Sequence, residues 1–140
     1  MATLTLDLAV RVIDGALARG TELGCAPLTV VVLDAGGHVL ALKRQDGAGI
    51  LRSDIARGKA WGALGMGFSS RELAERAQKV PAFFGALASV SRGRLVPAAG
   101  GVLIYDGARH VVGAVGISGD TSDKDEDCAL VGVKGAGLQV

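Results

Sequence analysis

The chain has 140 residues, a formal net charge of +1, and a composition of 49% hydrophobic and 21% charged residues. A chain of this length buries enough apolar surface to fold without a disulfide or a metal, so we expect a single domain over residues 1–140. Its balanced charge and its few aromatic residues (one Trp, one Tyr and three Phe) argue against nucleic acid as a partner. The hydrophobic fraction is high for a monomer, which predicts a homo-oligomer.

The chain shows no sign of export or of a membrane anchor. Its apolar runs are far shorter than the roughly 18 residues of a membrane helix, and its N-terminus lacks the pattern of a signal peptide. We therefore expect a cytoplasmic protein with no membrane partner. The two cysteines, Cys25 and Cys128, are too few for a disulfide framework, and we expect buried thiols, with a disulfide as the alternative.

The first elements in chain order are a helix and a β-hairpin. Apolar residues at helical spacing predict an amphipathic helix that begins near residue 6, with Thr5 as its N-cap and a stop near Gly20 or Gly24. Two apolar, β-branched segments then flank the turn DAGGH at residues 34–38, which predicts a hairpin.

A second helix is predicted from about residue 53 to residue 63. It contains Gly58 and Gly62, which each cost about 1 kcal/mol relative to Ala in a helix. We expect these glycines to allow close packing against another backbone.

The next helix has the clearest start signal. Ser69 and Glu72 have the spacing of a capping box, which predicts a short helix over residues 70–78. Pro81 ends or restarts the helix, and Phe83 and Phe84 are expected to be buried.

A second hairpin over residues 101–118 and a helix from residue 121 or 122 to about 134 complete the chain. Tight turns between successive strands predict an antiparallel sheet. The expected fold is therefore α+β, with helices on one face of the sheet and a partner subunit on the other.

Four glycine-rich pieces carry a family resemblance: VVLDAGGHVL at residues 31–40 leading into RQDGA at 44–48, IARGKA at 55–60, LVPAAGGV at 95–102, and VGAVGISG at 112–119. In order and spacing they resemble the GlcG/HbpS-like family, also called haem-degrading domains and related to the PduO C-terminal domain. The resemblance implies a profilin-like α+β fold, with a central antiparallel sheet of about five strands and helices packed on it. It also implies assembly into dimers or larger rings and, in some members, binding of haem, corrinoid-related molecules or iron.

The haem implied by this resemblance needs an axial ligand, and the candidates are His38 and His110. Each histidine also has a simpler interpretation, His38 as a turn residue and His110 as an exposed surface residue. Cysteine, methionine and tyrosine donors are present at Cys25, Cys128, Met66 and Tyr105. The histidines do not share a helical face and the cysteines form no C-x-x-C pair, so no dedicated metal site is expected.

Charged residues inside the matching segments form a second candidate site. Arg44 and Asp46 are a turn pair, or they join Lys59 in a pocket for an anionic ligand. In an enzyme, Asp46 or His38 would be the base, while Lys59 and Arg44 would hold a carboxylate. Backbone amides that could bind a carboxylate or stabilise an oxyanion lie at Gly100, Gly101, Ser118 and Gly119.

These residues are compatible with three functions, of which the first two are the main ones. The favoured function is an oligomeric binding protein that takes haem or a similar carboxylate-bearing small molecule at an inter-subunit pocket. The alternative is an enzyme of a catabolic pathway, of isomerase, lyase or hydrolase type, that acts on a small organic acid or carbonyl compound by proton transfer. The third is an accessory protein that stabilises another protein or complex.

Overall fold

The structure is a computed structural model that describes residues 3–140. Within that range the elements are α1 (Leu6–Glu22), β1 (Thr29–Asp34), β2 (Val39–Arg44), α2 (Arg52–Met66), α3 (Ser70–Lys79), α4 (Pro81–Val90), β3 (Gly101–Tyr105), β4 (Val111–Ser118) and α5 (Ser122–Gly135).

The sheet has four strands in the order β2-β1-β4-β3, and every neighbouring pair is antiparallel. The α+β class is confirmed, but the expected fifth strand is wrong for the described chain. The outer edge of β3 pairs only with Gln139, through an isolated bridge to Tyr105. The apolar segment before β3 packs on α2 instead, where the Val96 N–H donates to the Gly58 carbonyl at 3.2 Å.

Helices cover both faces of the sheet. Helices α1 and α5 pack on one face, in a core that includes Val30, Val32 and Ile117. Helix α2 packs on the other face against Val31 and Leu33. The expectation that this second face would be left for a partner subunit is therefore wrong, because the small residues of α2 let it cover the sheet.

The two hairpin turns lie at the same end of the sheet. Strands β1 and β4 are antiparallel along their whole length, so the end of β1 lies beside the start of β4. The turns at residues 34–38 and 106–110 therefore lie at the same end of the strands, which we call the hairpin end. The opposite end of the strands, the loop end, contains residues 44–49 and 118–121.

The predicted start of α3 is confirmed, since the Glu72 N–H donates to Ser69 Oγ at 3.3 Å. Pro81 begins α4 rather than ending a helix. Phe84 is buried in α4, whereas Phe83 is 54% exposed, because successive helical residues point in different directions. Among the described residues, no helix combines the length and the apolar character needed to cross a membrane.

Candidate functional site

A buried ion pair lies between α2 and α5. Lys59 Nζ is 3.1 Å from Asp125 Oδ2 and donates to the Ile117 carbonyl at 2.9 Å. The two charged side chains are 3% and 1% exposed. Burial lowers the pKa of Lys59, and the charge of Asp125 partly opposes that shift. Lys59 thus joins α2 to β4 and α5 from inside the protein.

The glycines predicted to present backbone amides to a ligand are packed against protein atoms. A Cβ at Gly101 would lie 2.4 Å from the Lys59 carbonyl oxygen, and one at Gly119 would lie 2.3 Å from the Pro27 oxygen. A Cβ at Gly100 would lie 2.9 Å from Lys59 Nζ. These glycines allow close approach of the chain to itself.

The polar groups beside those glycines already have protein partners. The Gly101 N–H donates to Ser70 Oγ at 2.7 Å, and Ser118 Oγ accepts from Arg52 Nη1 at 3.0 Å. Asp125 Oδ1 accepts from the Asp120 N–H at 3.1 Å. A carboxylate of the chain itself therefore occupies the segment that was predicted to receive a ligand carboxylate.

Arg44 and Asp46 lie at the loop end but in a different environment from Lys59. Arg44 Nη1 donates to the Ala48 carbonyl at 2.8 Å, and Asp46 is exposed. Both residues line an open cleft of about 570 Å³ whose other residues are Leu17, Cys25, Pro27, Lys43 and Gln45. Lys59 does not line this cleft, so the structure does not unite the three charged residues in one pocket.

The two candidate histidines lie at the hairpin end, in turns of the same design. In each turn an aspartate, Asp34 or Asp106, accepts hydrogen bonds at Oδ1 from the backbone N–H groups two and four residues later. The fourth residue is His38 in one turn and His110 in the other. These N–H groups lower the pKa of both aspartates, with the histidine N–H as the largest cause. The repeated Asp-x-x-x-His spacing is visible in the sequence but was not recognised as a signal.

Each aspartate also faces the imidazole of its histidine. His38 Nδ1 is 3.2 Å from Asp34 Oδ1, and His110 Nδ1 is 3.4 Å from Asp106 Oδ2. In the tautomer that donates from Nδ1, the Nε2 lone pair is left available, as in histidines that bind metals. The His38 side chain is 82% exposed and that of His110 is 55% exposed.

The turn of His38 packs on Trp61 of α2. A Cβ at Gly37 would lie 3.3 Å from the Trp61 ring atoms Cδ1 and Nε1, and Gly37 has a left-handed φ of 84°. The Arg94 guanidinium lies 4.2 Å from the centre of the indole ring. Beside the ring is a cleft of about 340 Å³ lined by Asp54, Arg57, Trp61, Gly93 and Arg94. Sequence reasoning missed this group, although Asp54, Arg57 and Trp61 have the spacing of one helical face.

Both cysteines are free thiols; the expected burial is confirmed for Cys128, whereas Cys25 is only half-buried. Burial raises the pKa of Cys128 to about 12. This thiol therefore stays protonated at neutral pH and is unsuited to act as a thiolate ligand.

Comparison with known proteins identifies the family. The family described as "Haem degrading protein HbpS-like" matches residues 4–134. The chain belongs to the HbpS-like family. This HbpS-like chain is 32% identical over 126 residues to an uncharacterized 15.0 kDa protein in the dhaT-dhaS intergenic region of Citrobacter freundii. The alignment covers 89% of this chain and 86% of that protein.

Two further relatives connect this HbpS-like chain to PduO. It is 32% identical over 108 residues to the corrinoid adenosyltransferase PduO of Salmonella typhimurium, covering 76% of this chain and only 31% of that protein. A crystal structure described as the PduOC:Heme complex superposes with a TM-score of 0.89 at 27% identity, covering 99% of this chain and 98% of that one. The resemblance stated from the sequence is thereby confirmed.

Proposed function

We propose that this protein binds haem and that His38 would hold the iron through its imidazole. Membership of the HbpS-like family and the similarity to a domain crystallised with haem support the choice of ligand. The observation that carries the choice of residue is the exposed His38 imidazole, whose Nδ1 faces the Asp34 carboxylate. Haem, when bound, would supply a redox-active iron that this imidazole would ligate.

The donors of this chain fit such a group. A haem ligand must offer a lone pair at a surface that a flat ring can reach, and His38 satisfies both conditions. Its turn is held by the hydrogen bonds to Asp34 and by the contact with Trp61, so the imidazole is presented from a fixed backbone. His110 has the same Asp partner but a longer contact and a less exposed ring, which makes it the second candidate.

A second copy of the chain would complete the site. The His38 side chain is 82% exposed, so a haem held there would be accessible to solvent in a single subunit. Strand β2, which follows His38, is an edge strand and exposes the apolar side chains of Val39 and Leu42 to 43% and 42%. A second subunit that packs here would cover this apolar surface and would shield a haem held by His38.

The contacts of the charged residues favour this binding function over the enzyme that was the alternative. Lys59 is enclosed and engaged with Asp125, and the glycine amides pack inside the fold. Asp46 is exposed at the loop end, whereas His38 lies at the hairpin end. A base and an anion-binding lysine that converge on one substrate are not formed by these residues.

The test is a hemin titration followed by visible absorbance, with native mass spectrometry of the same samples. We expect saturable binding at one haem per subunit or per pair of subunits. His38→Ala should weaken binding by about tenfold or more. Asp34→Asn should weaken it less, because this change keeps the His38 imidazole and only alters the group that orients it. His110→Ala is the matched control and should bind as the wild type does.

Two outcomes would contradict the proposal. Non-saturating uptake by the wild type would show that hemin adsorbs without a site. Equal affinity in His38→Ala and wild type would remove His38 as the ligand, and a selective loss in His110→Ala would assign the iron to the other turn.

A further inference from the structure

The cleft beside Trp61 has the composition of an anion site. Its lining residues include two arginines, Arg57 and Arg94, and one aspartate, Asp54, so positive charge is in excess. Neither arginine forms an ion pair with any residue of the range 3–140. Unpaired guanidinium groups that share a concave surface favour a negatively charged ligand.

The Arg94 side chain is held in place before any ligand arrives. Its Nε donates to the Ser91 carbonyl at 2.8 Å, and its guanidinium lies over the Trp61 ring. These contacts leave the two terminal nitrogens of Arg94 available to donate. Because its position is already fixed, the Arg94 guanidinium loses little side-chain entropy when it binds a planar anion.

The backbone explains how Arg94 reaches the indole. Arg92 and Gly93 both have left-handed conformations, with φ of 56° and 74°. Two such residues in succession turn the chain sharply after α4. A non-glycine residue in this region is uncommon, and it is tolerated where neighbouring contacts fix the loop.

We propose that this cleft binds a carboxylate group carried on an apolar or planar body. The two guanidinium groups match the planar carboxylate, and the indole ring offers an apolar wall for the rest of the ligand. The volume of about 340 Å³ suits a small ligand or one side chain of a larger one.

Two sources of this carboxylate are consistent with the site. One is a propionate of a haem bound at the adjacent His38 turn, and this source rests on the proposed function. The other is a free small carboxylate, which does not depend on haem.

The first experiment uses the only tryptophan of the chain as a reporter. Trp61 fluorescence is titrated with propionate at constant ionic strength, and separately with the uncharged propionamide and with inorganic phosphate. We expect a saturable change with propionate alone. Arg94→Gln and Arg57→Gln should each weaken it at least about tenfold, the loss expected when a charge-assisted hydrogen bond is removed.

Arg76→Gln is the matched control for these variants. It removes one positive charge that also lies over an aromatic ring, with its guanidinium 4.2 Å from the Phe68 ring centre, but it is outside the cleft. Its propionate binding should equal that of the wild type. Circular dichroism spectra and melting temperatures of all variants establish that each is folded.

The second experiment compares hemin with hemin dimethyl ester, in which both propionates are esterified. If the carboxylate belongs to haem, hemin binds the wild type at least about tenfold more tightly than the ester, and Arg94→Gln removes that difference. His38→Ala should weaken hemin and the ester alike, because both keep the iron.

The outcomes separate the two proposals. Saturable propionate binding without saturable hemin binding supports the cleft with a free carboxylate as its ligand and contradicts the haem function. Equal binding of hemin and its ester, together with no saturable response to propionate, overturns the carboxylate site while the haem function stands. A response to phosphate alone, or an equal response to propionamide, also overturns it.

Discussion

At the scale of single residues, the two hairpin turns show how one aspartate organises a loop. Asp106 accepts from the N–H groups of Ala108 and His110, both at 2.9 Å, and its side chain is 7% exposed. These bonds hold the pKa of Asp106 below its ordinary value of 3.8. A lowered folded-state pKa means that the carboxylate stabilises the protein above that ordinary value, and that the stabilisation is lost as the pH falls below it.

Asp106→Asn is therefore predicted to lower the melting temperature at pH 7. The difference in melting temperature from wild type should narrow as the pH falls below 3.8 and the wild-type carboxylate becomes protonated. Melting temperatures of both proteins across this range are the measurement. Asp46→Asn, at an exposed carboxylate, is the control and should show no such gap. A gap that stays constant with pH would contradict the prediction.

The Lys59–Asp125 pair yields a second prediction. Lys59→Met leaves Asp125 buried without its counter-charge, which should reduce the free energy of unfolding by about 3–5 kcal/mol at pH 7. Burial already raises the pKa of Asp125. Protonation of Asp125 should therefore reduce the loss as the pH is lowered toward about 5, since a raised folded-state pKa favours the fold on the acidic side.

Denaturant unfolding at the two pH values measures this effect. The double variant Lys59→Met, Asp125→Leu is the control, because it removes both charges together, and its loss should be smaller than that of Lys59→Met alone. An unchanged stability of Lys59→Met at pH 7 would show that the ion pair makes no net contribution.

At the scale of elements, α2 shows why glycines occur inside a helix. A Cβ at Gly58 would lie 2.7 Å from the Arg94 carbonyl oxygen and 2.5 Å from Val96 Cγ2. One at Gly65, in the same helix, would meet no atom within 4 Å. The expected close packing against another backbone is thus confirmed at Gly58, where α2 contacts the loop before β3.

Alanine substitutions at Gly58 and Gly65 should therefore change the stability of the protein in opposite directions. Gly58→Ala should reduce the free energy of unfolding by about 1–3 kcal/mol, because the new methyl group forces the Arg94 loop away. Gly65→Ala should raise it by about 0.5–1 kcal/mol, because alanine restricts the unfolded chain and favours the helix. Urea unfolding of both variants is the measurement, and losses of equal size would be incompatible with the packing seen here.

Helix α4 is an element whose sequence was informative only in part. Its ten residues, PAFFGALASV, contain no charge, and the proline at its first position is typical of a helix start. Its apolar composition nevertheless suggested burial of both phenylalanines, whereas it leaves Phe83 and Val90 54% and 77% exposed. Composition alone cannot assign a helix face when every residue of the helix is apolar or small.

At the scale of the whole molecule, the four-stranded sheet separates two regions with different properties. At the loop end Lys59 is enclosed with Asp125, while Arg44 and Asp46 line an open cleft apart from it. The hairpin end presents His38 with Trp61 and Arg94 nearby, and the proposed ligand site is there. In the proposed site, a second copy of the chain would shield the ligand from water.

The sequence by itself determined the family and the elements that have strong local signals. Helix caps, turn residues and alternating apolar segments act over a few neighbours, so the capping box at Ser69 and both hairpins could be recognised without a structure. The four glycine-rich pieces were sufficient to identify the HbpS-like family.

Only the tertiary structure decided which of the candidate residues meet. The contacts of Lys59 with Asp125, of Gly37 with Trp61 and of Trp61 with Arg94 each join residues far apart in the chain. The same holds for the number of strands and for the placement of α2 on the second face of the sheet. Such contacts depend on how complete elements pack together, and no local preference of the backbone specifies them.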